Sequence, residues 1–388
     1  MPFANRTQHL APEGAYQVLA RANQLEAVGK EIIHLEIGQP DYPTFENVSQ
    51  AGIEAIRAGK TRYTPPAGIP ALREALAEDA GRRRGIEVHP EEVVVSPGGK
   101  PNLFFPTLAL VEPGDEVIYP NPGFPTYEAM IKVAGGVAVA VPLLEENQFS
   151  FDLEAFDKLV NERTKIIILN SPSNPTGGVI PPEDLEHIAS RAEEFGCWVM
   201  SDELYTRIVY DGMEALSIAS LPGMKERTII VDGFSKTYSM TGWRLGFGIM
   251  PKDLAARVDL LLTHSVGSTA HFTQFAGLEA IIGPQDMVEV MASEYQRRRD
   301  AIVDGLNTIP GFNCQKPQGA FYVFPNITGT GMGSTELANL ILEKAGVALL
   351  PGNSFGEYGE GYLRLSYANS IENIEKGLDK IRTAIETI

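Results

Sequence analysis

The chain has 388 residues, 44% of them hydrophobic and 21% charged, the proportions of a soluble globular protein long enough for about two domains. Its formal net charge of −18 argues against a nucleic-acid partner, because a phosphate backbone demands a basic face. Two cysteines and six scattered histidines give no disulfide framework or metal spacing, the opening MPFANRTQHLAPEG lacks the order of a secretory signal, and no apolar run reaches the about 20 residues of a membrane helix, so a cytoplasmic setting is expected.

Residues 1–13 read as a polar arm with Pro2 and Pro12. Ala15–Val28 is an amphipathic helix, with Val18, Leu19, Ala22 and Leu25 on its apolar side. Ile32–Ile37 is a short strand broken by Gly38-Gln39-Pro40-Asp41, which taken alone is a turn as readily as a site. A helix over Asn47–Ala58 precedes Tyr63-Thr64-Pro65-Pro66-Ala67-Gly68-Ile69-Pro70, and Pro70 starts a helix to about Arg84. By itself Tyr63 reads as the cover of a hydrophobic patch. Val93–Val95 is a strand, followed by Ser96-Pro97-Gly98-Gly99-Lys100 and a helix near Asn102–Leu110. Strand, glycine-rich turn and helix N-terminus together offer free N–H groups to an anion. Such turns are common, and the nucleotide-binding GxxxxGK[ST] pattern is absent.

Glu116–Tyr119 is a strand that ends in Pro120-Asn121-Pro122-Gly123-Phe124, with Tyr127 three residues on. Val137–Val141 alternates as a further strand. Lys165–Leu169 is a strand that runs into Asn170-Ser171-Pro172-Ser173-Asn174-Pro175-Thr176-Gly177. After a helix over Asp184–Phe195, the strand Cys197–Met200 ends in Ser201-Asp202-Glu203-Leu204-Tyr205. Alone, Asp202 reads as a helix N-cap. Thr228–Val231 is a buried strand closed by the turn Asp232-Gly233. Lys236 follows between Ser235 and Thr237, Arg244 is framed by Gly242 and Gly246, and Leu245–Met250 is another strand. Residues 263–274 are small and polar, a loop and helix cap. Met287–Leu306 is a long helix whose Arg297, Arg298 and Arg299 are expected to form a solvated face. Pro317–Tyr322 starts a strand, Pro351–Gly356 is a loop, Tyr362–Tyr367 is a strand with Arg364 on one face, and Ile371–Ile385 is a closing amphipathic helix.

Apolar strands at 93–95, 166–169, 197–200 and 228–231 each end in a different polar group. Parallel strands separated by helices bring such ends to one edge of a sheet, where ligands bind. A lysine there, away from bulk water, favours its neutral amine, which attacks carbonyls. Arg244 offers a planar fork suited to phosphate, and the nearby glycines let backbone approach closely. An imine-forming lysine beside a phosphate-holding arginine is what pyridoxal 5'-phosphate requires.

The string Gly-Phe-Ser-Lys-x-x-Ser-Met-x-Gly-x-Arg-Leu-Gly at residues 233–246 resembles the lysine signature of the class I aminotransferases, the aspartate aminotransferase family of fold-type I pyridoxal-phosphate enzymes. The likeness runs from Gly38 to Arg364 in order. It implies that Lys236 holds the cofactor, with Ser235 and Arg244 on its phosphate side, and that Gly98, Gly99 and Lys100 contact the phosphate mainly through backbone N–H. It places Phe124 against the pyridine ring, Asn174 and Tyr205 at the ring's phenolic oxygen, and Asp202 at the ring nitrogen. Gly38, Asn174 and Arg364 fall to the substrate, with Arg364 on its α-carboxylate. Tyr63, in the Y-T-P-x-x-G-x-P motif, is implied to reach the phosphate of a neighbouring subunit, hence a homodimer with shared sites.

The expected fold is α/β of fold type I. A large domain over 48–282 carries a mostly parallel sheet between helices, and a smaller α+β domain joins 1–47 to 283–388. The expected function is ping-pong transfer of an amino group between an L-amino acid, aspartate or an aromatic or neutral one, and a 2-oxo acid such as 2-oxoglutarate. Lys236, Asp202 and Tyr205 are its catalytic set. A β-lyase or an aminocyclopropane-carboxylate-synthase-like enzyme fits the same residues. A non-catalytic ligand-binding domain fits poorly with Lys236, Asp202, Asn174 and Arg364 all present.

Overall fold

A computed structural model of the chain describes residues 3–8 and 10–387. The expected arm lies partly outside the described residues, Pro2 included, and its described part holds a short helix, Asn5–Gln8. The strands are β1 Ile33–His34, β2 Val93–Ser96, β3 Glu116–Asn121, β4 Val137–Leu144, β5 Ser150–Phe151, β6 Thr164–Asn170, β7 Trp198–Asp202, β8 Thr228–Gly233 and β9 Gly246–Ile249. After them come β10 Tyr322–Val323, β11 Val347–Ala348, β12 Leu350–Pro351 and β13 Leu363–Ser366.

β2 through β9 form one eight-stranded sheet in the order β2-β9-β8-β7-β6-β3-β4-β5. The strands from β8 to β4 pair in parallel. β9 is antiparallel to both neighbours, so β2 runs with β8. Successive strand residues face opposite sides, and both sides are covered. Val93, Val95 and Ile230 pack with Leu72 and Leu76 of the helix Pro70–Arg84 and with Ala276 and Ala280 of the helix His271–Ile282. Their neighbours Val94, Ile229 and Val231 pack on the other side with Leu103 of the helix Lys100–Leu110 and with Leu254, Val258 and Leu262 of the helix Lys252–Thr263. Strands buried on both faces read as unbroken apolar runs rather than alternations, and each buried Val or Ile contributes about 1.5–3 kcal/mol. The shared direction of β2, β6, β7 and β8 brings their carboxyl ends to one edge.

Two small sheets complete the chain. β13 lies between β10 and β12, antiparallel to both, and β1 pairs in parallel with β11. The Ser366 N–H donates to the Leu35 carbonyl at 2.7 Å, which joins the early and late segments. The expected strand Ile32–Ile37 contracts to Ile33–His34, and the Pro317–Tyr322 stretch contributes only Tyr322 to β10.

One expectation is overturned. Of the three consecutive arginines on the helix Asp286–Leu306, Arg298 is only 7% exposed and Arg299 not exposed at all. At 3.6 residues per turn, three in a row sweep about 200° and cannot share one face. Arg298 Nη1 donates to both carboxylate oxygens of Asp41 at 2.8 Å, and so anchors the Gly38–Asp41 loop. Arg299 pairs with Asp211 at 2.7 Å and lies 4.7 Å over the Tyr210 ring.

Candidate active site

At the carboxyl edge of the large sheet lies a cavity of about 520 Å³. β7 delivers Asp202 to its floor. This carboxylate accepts from the Tyr127 hydroxyl at 2.6 Å and from the Leu204 N–H at 3.4 Å. It has no ion-pair partner among the described residues. Burial pushes its carboxyl up to about 6, against the downward pull of the Tyr127 bond. A buried carboxylate without a cation is costly and is set to receive one.

Lys236 stands three residues beyond the end of β8. Burial first, then the cations Arg364 and Arg244, push its ammonium down to about 8. Its Nζ donates to the Gly38 carbonyl and lies 5.7 Å over the Phe321 ring. An amine near neutrality at pH 8 is a competent nucleophile and proton acceptor.

One corner is built for an anion. Gly99 precedes the helix Lys100–Leu110 with no side chain capping it; Pro101 has no N–H and the Asn102 N–H donates to the Gly99 carbonyl at 3.0 Å, which leaves the Gly99 and Lys100 N–H groups without a partner among the described residues. Gly98 has φ +85°, and the Arg244 guanidinium occupies the place a Cβ would take. Gly246, opposite Ser96 in the β2–β9 pairing, leaves room for the Gly98–Gly99 backbone. Arg244 itself has φ +55°, a left-handed conformation a long side chain seldom adopts, of the kind found at ligand clamps. Its Nη1 donates to the Thr241 carbonyl at 2.8 Å.

The opposite wall comes from the small sheets. Arg364 on β13 is 4% exposed. Its Nη1 donates to Asn174 Oδ1 at 3.2 Å and its Nη2 to the Glu36 carbonyl, while Nε is buried without a partner among the described residues. The guanidinium lies 4.6 Å over the Tyr322 ring and 5.0 Å over the Phe355 ring. The Tyr205 and Tyr322 hydroxyls stand 2.8 Å apart, and burial raises both phenols above their ordinary range. A side chain on Gly38 would run into the Tyr322 hydroxyl, which explains the glycine.

Of the residues expected from sequence, Lys236, Asp202, Asn174, Tyr205, Ser235, Arg244, Arg364, Gly38, Gly99, Lys100 and Phe124 all line this one cavity. Gly98 stands behind it, against Arg244. Tyr63 is not among the lining residues and is 99% exposed. The Lys100 side chain turns from the anion corner to pair with Glu13. Sequence reasoning missed Glu13, Tyr322 and the bond from Tyr127 to Asp202. Only Tyr127 carried a signal, as an aromatic three residues past Phe124.

Residues 30–381 match the family model described as aminotransferase class I and II. The chain is 42% identical to a probable aspartate/prephenate aminotransferase of Aquifex aeolicus, over 100% of this chain and 99% of that one. It is 37% identical to aromatic-amino-acid aminotransferase 2 of Thermococcus litoralis, over 100% and 99% of the two chains. Among solved structures it resembles the aspartate aminotransferase of Thermus thermophilus with maleate, at a TM-score of 0.95 and 39% identity, covering 99% of this chain and 100% of that one.

Proposed function

Because the chain belongs to the class I and II aminotransferases, we propose that this cavity binds pyridoxal 5'-phosphate and moves an amino group between an L-amino acid and a 2-oxo acid. The observation that carries the reading is the pairing of opposite shifts in one cavity: an amine pushed down to about 8 at Lys236 and a cation-free carboxylate pushed up to about 6 at Asp202. The donor set fits the cofactor. Lys236 would hold its aldehyde carbon. Asp202 would pair with its ring nitrogen. The free Gly99 and Lys100 N–H groups, with Gly98, Ser235 and Arg244, would take its phosphate. Phe124 would lie against the ring, and Asn174 and Tyr205 would meet its phenolic oxygen.

When bound, the cofactor supplies an electron sink for negative charge at the amino acid's Cα. The chain's own residues do the rest. Arg364, with Nε unpartnered, takes the α-carboxylate as a fork and fixes the Cα–H direction. Lys236 takes the Cα proton as a neutral amine and, as its conjugate acid, would deliver it to the carbon that receives the amino group. Of the Tyr205 and Tyr322 hydroxyls one donates to the other, which leaves a single phenol proton to donate into the cavity, and the aromatic walls exclude water. Two half-reactions share the site, so amino donor and 2-oxo acceptor bind in turn.

Aspartate and aromatic amino acids, named for its relatives, are the donor classes we carry to this chain, with 2-oxoglutarate among the acceptors. We further propose residues 48–282 as the cofactor-holding body and 1–47 with 283–388 as the smaller one. The full exposure of Tyr63 supports its contribution to a second copy's cavity, hence a homodimer; we place it, as a proposal, in the cytoplasm. A panel of amino donors and 2-oxo acceptors tests the reaction. Stoichiometric exchange of one 2-oxo acid for another is expected, and ammonia release without an acceptor would instead mark a lyase.

A further inference from the structure

Arg364 meets the early part of the chain at Glu36, whose backbone carbonyl accepts from its Nη2. The Glu36 side chain is wholly buried. Its Oε1 lies 2.7 Å from His34 Nδ1, and its Oε2 is buried with no partner among the described residues. A carboxylate so far from water with one donor is costly unless that donor carries charge. His34 is placed to carry it. Its other ring nitrogen, Nε2, lies 3.3 Å from Glu26 Oε1 on the helix Gly14–Ala27. A ring with a carboxylate at each nitrogen satisfies both only as the imidazolium, which donates from each side.

Burial pulls the His34 imidazolium down, but Glu36 and then Glu26 outweigh it and hold it above the ordinary histidine value. The ring is 33% exposed, so its proton exchanges with solvent. The charged groups around the pair come from two elements, Glu26 from the helix and Arg364 from β13. Arg21 of the same helix is engaged with Glu343. The other side of the segment turns Ile33 and Leu35 toward Gly377 of the helix Ile371–Glu386, and β11 pairs with it through Val347 and Ala348. Burial pulls the Arg364 guanidinium down, while Tyr322, Tyr205, Glu36 and Glu13 push it up, so the Glu36 carboxylate and the guanidinium feel one another.

We propose that His34 and Glu36 are positioning residues that act through Arg364: its hold on the substrate α-carboxylate is firm while a proton on His34 balances Glu36, and slackens when that proton leaves. With the imidazolium in place the pair is neutral, and the Arg364 charge meets the entering carboxylate undiminished. With the neutral ring the pair carries one negative charge, which offsets Arg364 and opposes the ligand. The only chemical change is a proton passed between the His34 ring and solvent. The inference rests on the assignment of Arg364 to the α-carboxylate and adds a proton-linked control of that binding step.

The test uses the holoenzyme with propionate as a monocarboxylate probe, its dissociation constant read by calorimetry at pH 6 and pH 9. His34→Gln keeps a donor toward Glu36 and cannot take the proton. It is expected to weaken propionate by about threefold at pH 6 and to match the wild type at pH 9. Glu36→Gln removes the charge with little change of shape. It is expected to tighten propionate by about threefold at pH 9, with a smaller gain at pH 6. Lys236 titrates in all three proteins, so ratios between them cancel its effect. An H34Q-to-wild-type ratio that is the same at both pH values, or weaker binding by E36Q at pH 9, would overturn the proposal. Because His34 is only half-buried, H34Q decides the matter alone should E36Q fail to fold. Arg364→Met separates this inference from the reading beneath it. R364M is expected to lose propionate affinity at both pH values by roughly tenfold or more. Unchanged binding in R364M would sink the α-carboxylate assignment and the proposal with it, whereas weakened binding in R364M beside a pH-independent H34Q ratio would sink the proposal alone.

Discussion

Two buried carboxylates on neighbouring strands have opposite surroundings. Asp232, on β8, is held by Arg84 at 2.9 Å and Arg83 at 3.2 Å, and Arg84 also binds Glu203 at 2.7 Å. Arg84, Asp232 and Glu203 are all nearly inaccessible to solvent, and within this group each charge has its counter-charge. Asp202, at the end of β7, has a phenol and a backbone N–H and, among the described residues, no cation. A fold that places two arginines against one carboxylate and none against the next has left the second for something that comes from outside. On the proposed reading the paired layer is structural and the unpaired one functional, and substitutions separate the two.

Asp202→Asn removes an unpaired buried charge. It is expected to lower kcat/KM on the order of 10³-fold, the scale of a lost preorganised electrostatic contact, while the unfolding midpoint of the cofactor-free protein stays level or rises. Arg84→Met does the reverse. It strands the buried Glu203 and leaves Asp232 with Arg83 alone, and is expected to cost about 3–5 kcal/mol of stability, seen in urea unfolding. If D202N destabilised the protein as R84M does, the contrast would be lost.

Lys236 sharpens the comparison through pH. Its ammonium is pushed from 10.5 down to about 8 by burial and by Arg364 and Arg244. Below pH 8 the folded protein carries that charge at a cost of about 3 kcal/mol. Between about pH 8 and 10.5 the unfolded chain binds more protons than the native one, so this contribution to stability rises with pH. Lys236→Met in the cofactor-free protein is therefore expected to stabilise by about 3 kcal/mol at pH 7, with the gain shrinking above pH 8. Unfolding curves at pH 7 and pH 10 check it, and a gain independent of pH would contradict the depressed ammonium.

Tyr127→Phe is the smallest change. Loss of a hydrogen bond to a charged acceptor is worth about 1.5 kcal/mol. Without it the Asp202 carboxyl rises further above about 6, and the acid limb of kcat/KM is expected to move up by about one pH unit. An unmoved limb would show that Tyr127 does not tune Asp202.

Local patterns made the large sheet and its edge legible. Val93–Val95, Thr228–Val231 and their kin are short apolar runs cut off by Gly, Asn, Asp or Lys, and strand direction does the rest. So Asp202, Asn174 and Lys236 could be placed together from spacing. The opposite wall could not, because its contacts join distant parts of the chain. Glu13 meets Lys100 across 87 residues, and Arg364 meets the Glu36 carbonyl across 328. No periodicity encodes such meetings. The same limit explains Arg298 and Arg299: a basic run looks solvated until Asp41 and Asp211 arrive from elsewhere.

The central claim is that residue 236 carries the amine that holds the cofactor. Protein saturated with pyridoxal 5'-phosphate, reduced with borohydride and digested, measures this directly by mass spectrometry. The account predicts one stable pyridoxyl group, on Lys236, and none on that peptide in K236A. A tag on another lysine with Lys236 unmodified, or no tag at all, would contradict it.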